Sequence, residues 1–206
     1  ASHLKEEYGI AANEKVIIHV SNFRAVKRVS DVVKAFAKIR ERIPSKLLLV
    51  GDGPEISVVS RLVKQLKLTD DVLFLGKQNK VEELYSMSDL MLLLSEKESF
   101  GLVALEAMAC GVPCIGTEIG GIPEVINDSY NGYICQLGDI ETIASKAIHL
   151  LTNEDLYTSF SLHAEKTVRE RFHSSHIVKQ YEHIYDQLVD GVDKDASSIS
   201  KCNSGY

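Results

Sequence analysis

Residues 90–115 read LMLLLSEKESFGLVALEAMACGVPCI, and this stretch contains two apolar runs separated by a polar loop. The first five residues are apolar and few enough for a buried strand, while residues 102–109 have the composition of a helix that Gly111 ends. A further apolar run begins at Val112 and predicts the next strand. Strand, helix and strand in this order are typical of a parallel α/β sheet.

The same alternation on both sides predicts a doubly wound, Rossmann-like α/β domain with a six-stranded parallel sheet. The other helices are expected from Ser30 as an N-cap, from Pro54 as the first helical residue, and at 140–151, 155–169 and 174–188. The other strands are expected at 16–20, 47–50, 72–75 and 132–134. The domain is predicted to span 1–189, with C-terminal helices over 139–189. Residues 190–206, rich in Ser, Asp, Gly and Lys, are predicted to be a tail that is disordered or was added for expression.

Composition excludes several functional classes for these 206 residues. The net charge of −6 predicts no nucleic-acid partner, and the lack of a long uncharged apolar stretch predicts no membrane-spanning segment. Four cysteines without a C-x-x-C pair predict neither a metal site nor a secreted disulfide framework, so a cytoplasmic protein is expected. Neither a G-x-G-x-x-G fingerprint after the first strand nor a P-loop nor a G-x-S-x-G elbow is present.

Ligands of doubly wound sheets bind beyond the carboxyl ends of the strands, where the strand order reverses. This rule directs attention to the loops at 21–28, 51–54, 76–78 and 95–102, with 117–121 as a fifth candidate.

Two glutamates lie eight positions apart at the fourth of these loops. Glu98 is in the loop and Glu106 is one turn inside the following helix, whose N-terminal amides form a site suited to a phosphate. Both carboxylates could accept hydrogen bonds from sugar hydroxyls on either side of a pyrophosphate. The spacing alone equally allows Glu98 to cap the helix electrostatically and Glu106 to be a solvated surface charge.

The first loop, SNFRAVKR at 21–28, brings three cations to the end of the first strand. Such charges could compensate a buried pyrophosphate, although an isolated cluster of this kind is as often a solvated loop. The glycines at 51, 53, 120 and 121 are compatible either with tight turns or with close approach of the backbone to a ligand.

Residues 98–113, ESFGLVALEAMACGVP, resemble the signature of the family-4 group of retaining glycosyltransferases. VGDGP at 50–54, Leu75-Gly76 and the loop with Thr117, Gly120-Gly121 and Glu124 match the same family, over residues 10–188. The resemblance implies a GT-B architecture, of which this chain would be the C-terminal, donor-binding domain. The N-terminal acceptor-binding domain would be absent from these residues, the donor would be a UDP-sugar, and neither a cofactor nor a metal would be needed.

The resemblance also implies roles for individual residues. Glu98 would contact the transferred sugar, Glu106 the ribose, and Lys27 the distal phosphate together with the first amides of the helix. The catalytic pair would be Glu98 and Lys27. The residues expected to bind the nucleotide sugar are Asn22, Arg24, Gly51, Gly76, Lys77, Gln78, Ser99, Phe100, Gly101, Leu102 and Glu106.

One position departs from the family. An Arg usually stands five residues before the Lys of the first loop, and here that position is Asn22, so Arg24 or Arg28 would replace its charge. The sequence of this loop is similar to that of the bacillithiol-pathway subgroup, whose members transfer N-acetylglucosamine from UDP-N-acetylglucosamine to L-malate. The alternatives are a family-4 transferase with another sugar nucleotide and a polysaccharide or lipid acceptor, or a non-transferring GT-B relative such as a sugar-nucleotide epimerase.

Overall fold

The structure is a computed structural model that describes residues 2–172. Its strands are β1 (Lys15–Val20), β2 (Ser45–Val50), β3 (Val72–Gly76), β4 (Leu90–Leu93), β5 (Cys114–Thr117) and β6 (Gly132–Cys135). Its helices are α1 (Ser2–Glu7), α2 (Val29–Arg40), α3 (Ile56–Gln65), α4 (Val81–Ser86), α5 (Leu102–Ala109), α6 (Ile122–Val125), α7 (Ile140–Thr152) and α8 (Glu154–Arg171). The chain up to Thr167 forms one compact unit, and the chain from Val168 onward belongs to a second, described only for residues 168–172.

All six strands pair in parallel, in the order β3-β2-β1-β4-β5-β6, which confirms the predicted doubly wound α/β fold. The order reverses between β1 and β4, which are direct neighbours in the sheet. Chain connections leave these two strands in opposite directions, so a crevice opens beyond their carboxyl ends.

The strands are apolar because helices cover both faces of the sheet. Ile17, Leu47 and Leu49 are fully buried in one cluster with Phe36 of α2, and α2 packs against both α3 and α7. On the strand β1 only one buried residue is polar, His19. This exception lies near the crevice.

Two predicted helix starts are wrong. Ser30 does not cap α2, because the chain enters it through a 3-10 turn at Ala25–Lys27 and Arg28 stands at the N-cap with φ 53°. Pro54 is not the first residue of α3, because the turn before the helix continues to Glu55, whose N–H donates to the carbonyl of Phe23.

Other boundaries differ for simple reasons. Strand β5 begins at Cys114 rather than Val112, because the N–H of Val112 still donates to Ala107 at the end of α5 and Pro113 has no N–H. Helix α5 has the predicted bounds. The short helices α1, α4 and α6 were not predicted, since four to six residues are too few for a helical period to show. The predicted helix at 174–188 and the tail at 190–206 lie outside the described residues.

Candidate functional site

The loops that follow β1 and β4 face each other across the crevice. The N–H of Glu96 donates to the carbonyl of Val26 at 2.8 Å, which joins the two loops through their backbones. Beside this bond the ammonium of Lys27 contacts Oε2 of Glu98 at 2.6 Å, and their side chains are only 20% and 14% exposed. The structure therefore brings together the two residues predicted as the catalytic pair.

Beneath this pair lies a hydrogen-bond network that the sequence analysis missed. His19 is fully buried in β1, with Nδ1 2.8 Å from the carbonyl of Leu92 in β4 and Nε2 2.8 Å from the hydroxyl of Ser21. A carbonyl only accepts, so Nδ1 donates to Leu92 and Nε2 accepts from Ser21. The Ser21 oxygen in turn accepts the N–H of Phe23. His19 thus ties β1 to β4 and fixes the start of the loop that carries Lys27.

Burial lowers the pKa of His19 from 6.5 to about 4. Between these values the unfolded chain binds a proton that the folded chain excludes, so the free energy of unfolding should fall as the pH drops from about 6.5 towards 4. The loss attributable to His19 should approach about 3 kcal/mol. Urea unfolding at pH 7 and pH 4.5 of the protein and of His19→Asn, which keeps a donor for Leu92 but does not titrate, checks this. Equal losses of stability in both proteins would contradict it.

Gly51 and Gly53 support the β1 loop from one side. A Cβ on Gly51 would lie 1.8 Å from the carbonyl oxygen of Ser21, and one on Gly53 would lie 2.0 Å from that of Asn22. Both distances are far below any van der Waals contact. From the sequence alone these glycines could serve either a tight turn or close approach to a ligand. The structure shows another cause: the backbones of the two loops pack too closely to admit a side chain at these positions.

Gly120 and Gly121 support the β4 loop in the same way. A Cβ on Gly120, which has φ +57°, would lie 1.8 Å from the carbonyl oxygen of Glu98, and one on Gly121 would lie 2.5 Å from that of Ser99. The N–H of Gly121 donates to the same Glu98 carbonyl at 3.2 Å. The backbone that presents Glu98 is therefore held by a glycine pair from the β5 loop.

Helix α5 begins at this loop. Gly101 stands at its N-cap with φ 88°, and among residues 2–172 no side chain caps it. The first amides of a helix lack intrahelical acceptors and carry partial positive charge. Leu102 is 64% exposed beside them, Ser99 is exposed and Phe100 is half-buried. This helix end can therefore accept an anion within the crevice.

Glu106 lies one turn further along α5. Its side chain is exposed, and its Oε2 accepts a hydrogen bond from the hydroxyl of Tyr85 in α4 at 3.2 Å. Glu106 therefore combines an exposed position with a fixed partner. A cavity of about 430 Å³ adjoins this bond and is lined by Asn79, Val81, Glu82, Tyr85, Glu106, Ala109 and Cys110.

The loop after β3 carries the predicted base contacts. Gly76 has φ +62°, and its carbonyl accepts the N–H of Gly51 at 2.8 Å, which joins this loop to the one after β2. Lys77 and Gln78 are exposed, and the Gln78 amide donates to the carbonyl of Leu75 at 2.6 Å. The segment therefore lies at the same edge of the sheet as the crevice.

The two candidate arginines of the first loop differ in their partners. Arg28 pairs with Asp31 and lies 3.6 Å from Glu96, so its guanidinium is already occupied. Arg24 is exposed and makes no ion pair with any residue between 2 and 172. Asn22, in the position where the family usually has an Arg, is exposed as well.

No three His, Cys, Asp or Glu side chains in residues 2–172 are grouped so that they could hold a metal ion. No helix in the same range has the length and apolar character needed to cross a membrane.

Residues 2–167, which include every loop of the crevice, match the family described as glycosyl transferases group 1. The chain belongs to this family. This group 1 chain is 61% identical over 188 residues to a curated relative, the N-acetyl-alpha-D-glucosaminyl L-malate synthase of Bacillus anthracis. The match covers 91% of this chain and 49% of that protein. It is 30% identical to an uncharacterized glycosyltransferase of Methanocaldococcus jannaschii, with 89% of this chain and 47% of that protein covered. The group 1 chain thus spans about half the length of the curated relatives it matches.

Solved structures give the same assignment. HepE from Anabaena, in complex with UDP and glucose, superposes on this group 1 chain with a TM-score of 0.84 at 25% identity, over 90% of this chain and 52% of HepE. Sucrose-phosphate synthase from Thermosynechococcus elongatus gives 0.82 at 26% identity, over 93% and 49% of the two chains. The fold matches the C-terminal half of GT-B glycosyltransferases.

Proposed function

We propose that this chain is the donor-binding half of a retaining transferase that moves N-acetylglucosamine from UDP-N-acetylglucosamine to L-malate. The observation that carries the donor site is the Lys27–Glu98 contact in the crevice beside the N-terminal end of α5. The sugar and the acceptor rest on the 61% identity to the Bacillus anthracis relative. The acceptor side of the cleft would come from an N-terminal domain outside these residues.

Three positive groups would neutralise the pyrophosphate. Lys27 and the first amides of α5 at Gly101 and Leu102 would hold the distal phosphate. Arg24, rather than Arg28, would supply the second cation, because Arg28 is occupied by Asp31 and Glu96 while Arg24 has no partner among residues 2–172. These charges and the helix end would do the work that a divalent cation does in other transferases.

Two carboxylates would recognise hydroxyl groups. Glu98, which pairs with Lys27 in the structure, would accept from the transferred sugar, with Ser99 and Phe100 beside it on the same loop. Glu106 would accept from the ribose. The base would lie against Gly76, Lys77 and Gln78, and Asn22 and Gly51 would line the crevice on the side of the β1 loop.

The reaction would break the bond between the anomeric carbon and the β-phosphate oxygen. The acceptor hydroxyl would form its new bond to that carbon on the same face, and its proton would pass to the departing phosphate. Negative charge therefore grows on the β-phosphate in the transition state, where Lys27 and the α5 amides are placed to stabilise it.

A cytoplasmic location is consistent with the thiols of Cys110, Cys114 and Cys135, which are free in the structure.

Donor binding and product formation test this proposal. The complete protein should form N-acetylglucosaminyl malate from UDP-N-acetylglucosamine and L-malate. Calorimetry should show binding of UDP and UDP-N-acetylglucosamine and none of GDP. Arg24→Gln should weaken binding of UDP, and Arg42→Gln, which removes an exposed arginine at the opposite edge of the sheet, should not. Binding of UDP-glucose in preference, or transfer to another acceptor, would support a different member of the family. Failure of every uridine nucleotide to bind the complete protein would refute the donor assignment.

A further inference from the structure

The bond between Tyr85 and Glu106 has no part in the proposed chemistry so far. Tyr85 is 1% exposed and Glu106 is exposed, so the bond joins a fixed group in the protein interior to an exposed group on α5. We infer that Tyr85 is a positioning residue, which holds Glu106 in the orientation that binds the ribose of the nucleotide. This inference rests on the proposed function.

Tyr85 is suited to hold a side chain still, because its own helix is firmly fixed. The Ser88 hydroxyl donates to the carbonyl of Leu84, and the N–H of Ser88 donates to that of Tyr85. Asp89 then accepts the N–H of Val16 at 2.7 Å, which joins the end of this turn to β1. The phenol hydroxyl therefore occupies a defined place relative to the sheet.

The phenol also stays in the form that can donate. Burial raises the pKa of Tyr85 far above its usual range, and the nearby charge of Glu106 raises it further. At neutral pH the hydroxyl is therefore protonated and can donate to Glu106. An ionised carboxylate has no proton to give, so it acts only as an acceptor.

The bond leaves the second oxygen of Glu106 for a ligand. Oε2 accepts from Tyr85, whereas Oε1 makes no hydrogen bond with any residue between 2 and 172. A free glutamate side chain on a helix surface samples many rotamers, and fixing it on binding costs free energy. Tyr85 has already restricted it, so a ribose hydroxyl meets an acceptor that needs no further ordering.

The variant Tyr85→Phe removes the hydroxyl alone. Its Kd for UDP should rise about tenfold, which corresponds to about 1.4 kcal/mol. The ligand 2′,3′-dideoxy-UDP lacks the hydroxyls that Glu106 would bind. The variant and the unchanged protein should therefore bind this ligand with the same Kd. In the complete enzyme the KM for the donor should rise at nearly constant kcat.

Two further variants make the result decisive. Tyr133→Phe removes a hydroxyl from another buried tyrosine, one that packs against Phe160, and should change neither Kd. Glu106→Ala should weaken UDP binding, and should spare the dideoxy compound. If Tyr85→Phe weakens the binding of UDP and of 2′,3′-dideoxy-UDP equally, or weakens neither, the positioning role is overturned while the proposed donor site stands. If Glu106→Ala leaves UDP binding unchanged, the ribose assignment of the proposed function fails instead, and the positioning role fails with it.

Discussion

Replacing Lys27 with methionine in the complete protein should lower kcat about 100- to 1,000-fold, the usual effect of removing one group that stabilises developing negative charge. Methionine keeps the length of the side chain and removes its ammonium, which lies 2.6 Å from Glu98 in the crevice. In the proposed reaction that ammonium stabilises the departing phosphate, whose charge grows as the bond to the sugar breaks. Steady-state kinetics with UDP-N-acetylglucosamine and L-malate, with the folded state followed by circular dichroism, measure the effect.

Lys38→Met is the matched control. Lys38 also makes an ion pair of 2.6 Å, with Glu141, but it lies in the last turn of α2, at the end opposite the crevice. Its replacement should leave kcat within a factor of two. If Lys27→Met kept most of its activity, or if both variants lost it alike, Lys27 would have no specific place in the chemistry.

A large loss of stability is expected for Gly120→Ala. A left-handed backbone costs a non-glycine residue about 1–2 kcal/mol, and Gly120 has φ +57°. The added Cβ would also lie 1.8 Å from the carbonyl oxygen of Glu98, a backbone atom that Gly121 holds by a hydrogen bond. Overpacking adds about 1–3 kcal/mol, so the free energy of unfolding should fall by about 2–5 kcal/mol in total. Urea unfolding at pH 7 measures it.

Gly9→Ala separates the two contributions to that loss. Gly9 has φ +67°, but a Cβ there would meet no atom within 4 Å. Its replacement should therefore show the conformational cost alone, about 1–2 kcal/mol. Equal losses at the two glycines would mean that the close approach to Glu98 contributes nothing.

The fold could be predicted from the sequence because each strand is a short apolar run, and because the long helices show apolar residues at helical spacing. Helix α5 has the predicted bounds, since an apolar segment between Gly101 and Gly111 contains both its start and its end. The errors occurred where a contact distant in sequence decides a boundary. Ser30 carries an ordinary N-cap side chain, but the turn at Ala25–Lys27 and the conformation of Arg28 place the helix start elsewhere.

The site was only partly predictable for the same reason. The glutamates of α5 and its loop could be recognised because they lie in one short stretch. The contact of Lys27 with Glu98 spans 71 positions, and the bond of His19 to Leu92 spans 73, so no local pattern contains them. One signal was available: a histidine inside the run VIIHV is unusual in a buried strand and indicated a polar partner.

The contact between Lys27 and Glu98 also bears on which anions the crevice favours. With these two charges paired, a small anion such as inorganic phosphate finds the ammonium already engaged, and has only its own charge with which to compete for it. The proposed donor, a nucleotide sugar, would bring a base, a ribose and a hexose as well, and could exchange partners with the pair while gaining contacts elsewhere. The carboxylate released by the lysine would then accept from the sugar itself. Paired charges of this kind favour a ligand that satisfies both partners over one that satisfies a single partner.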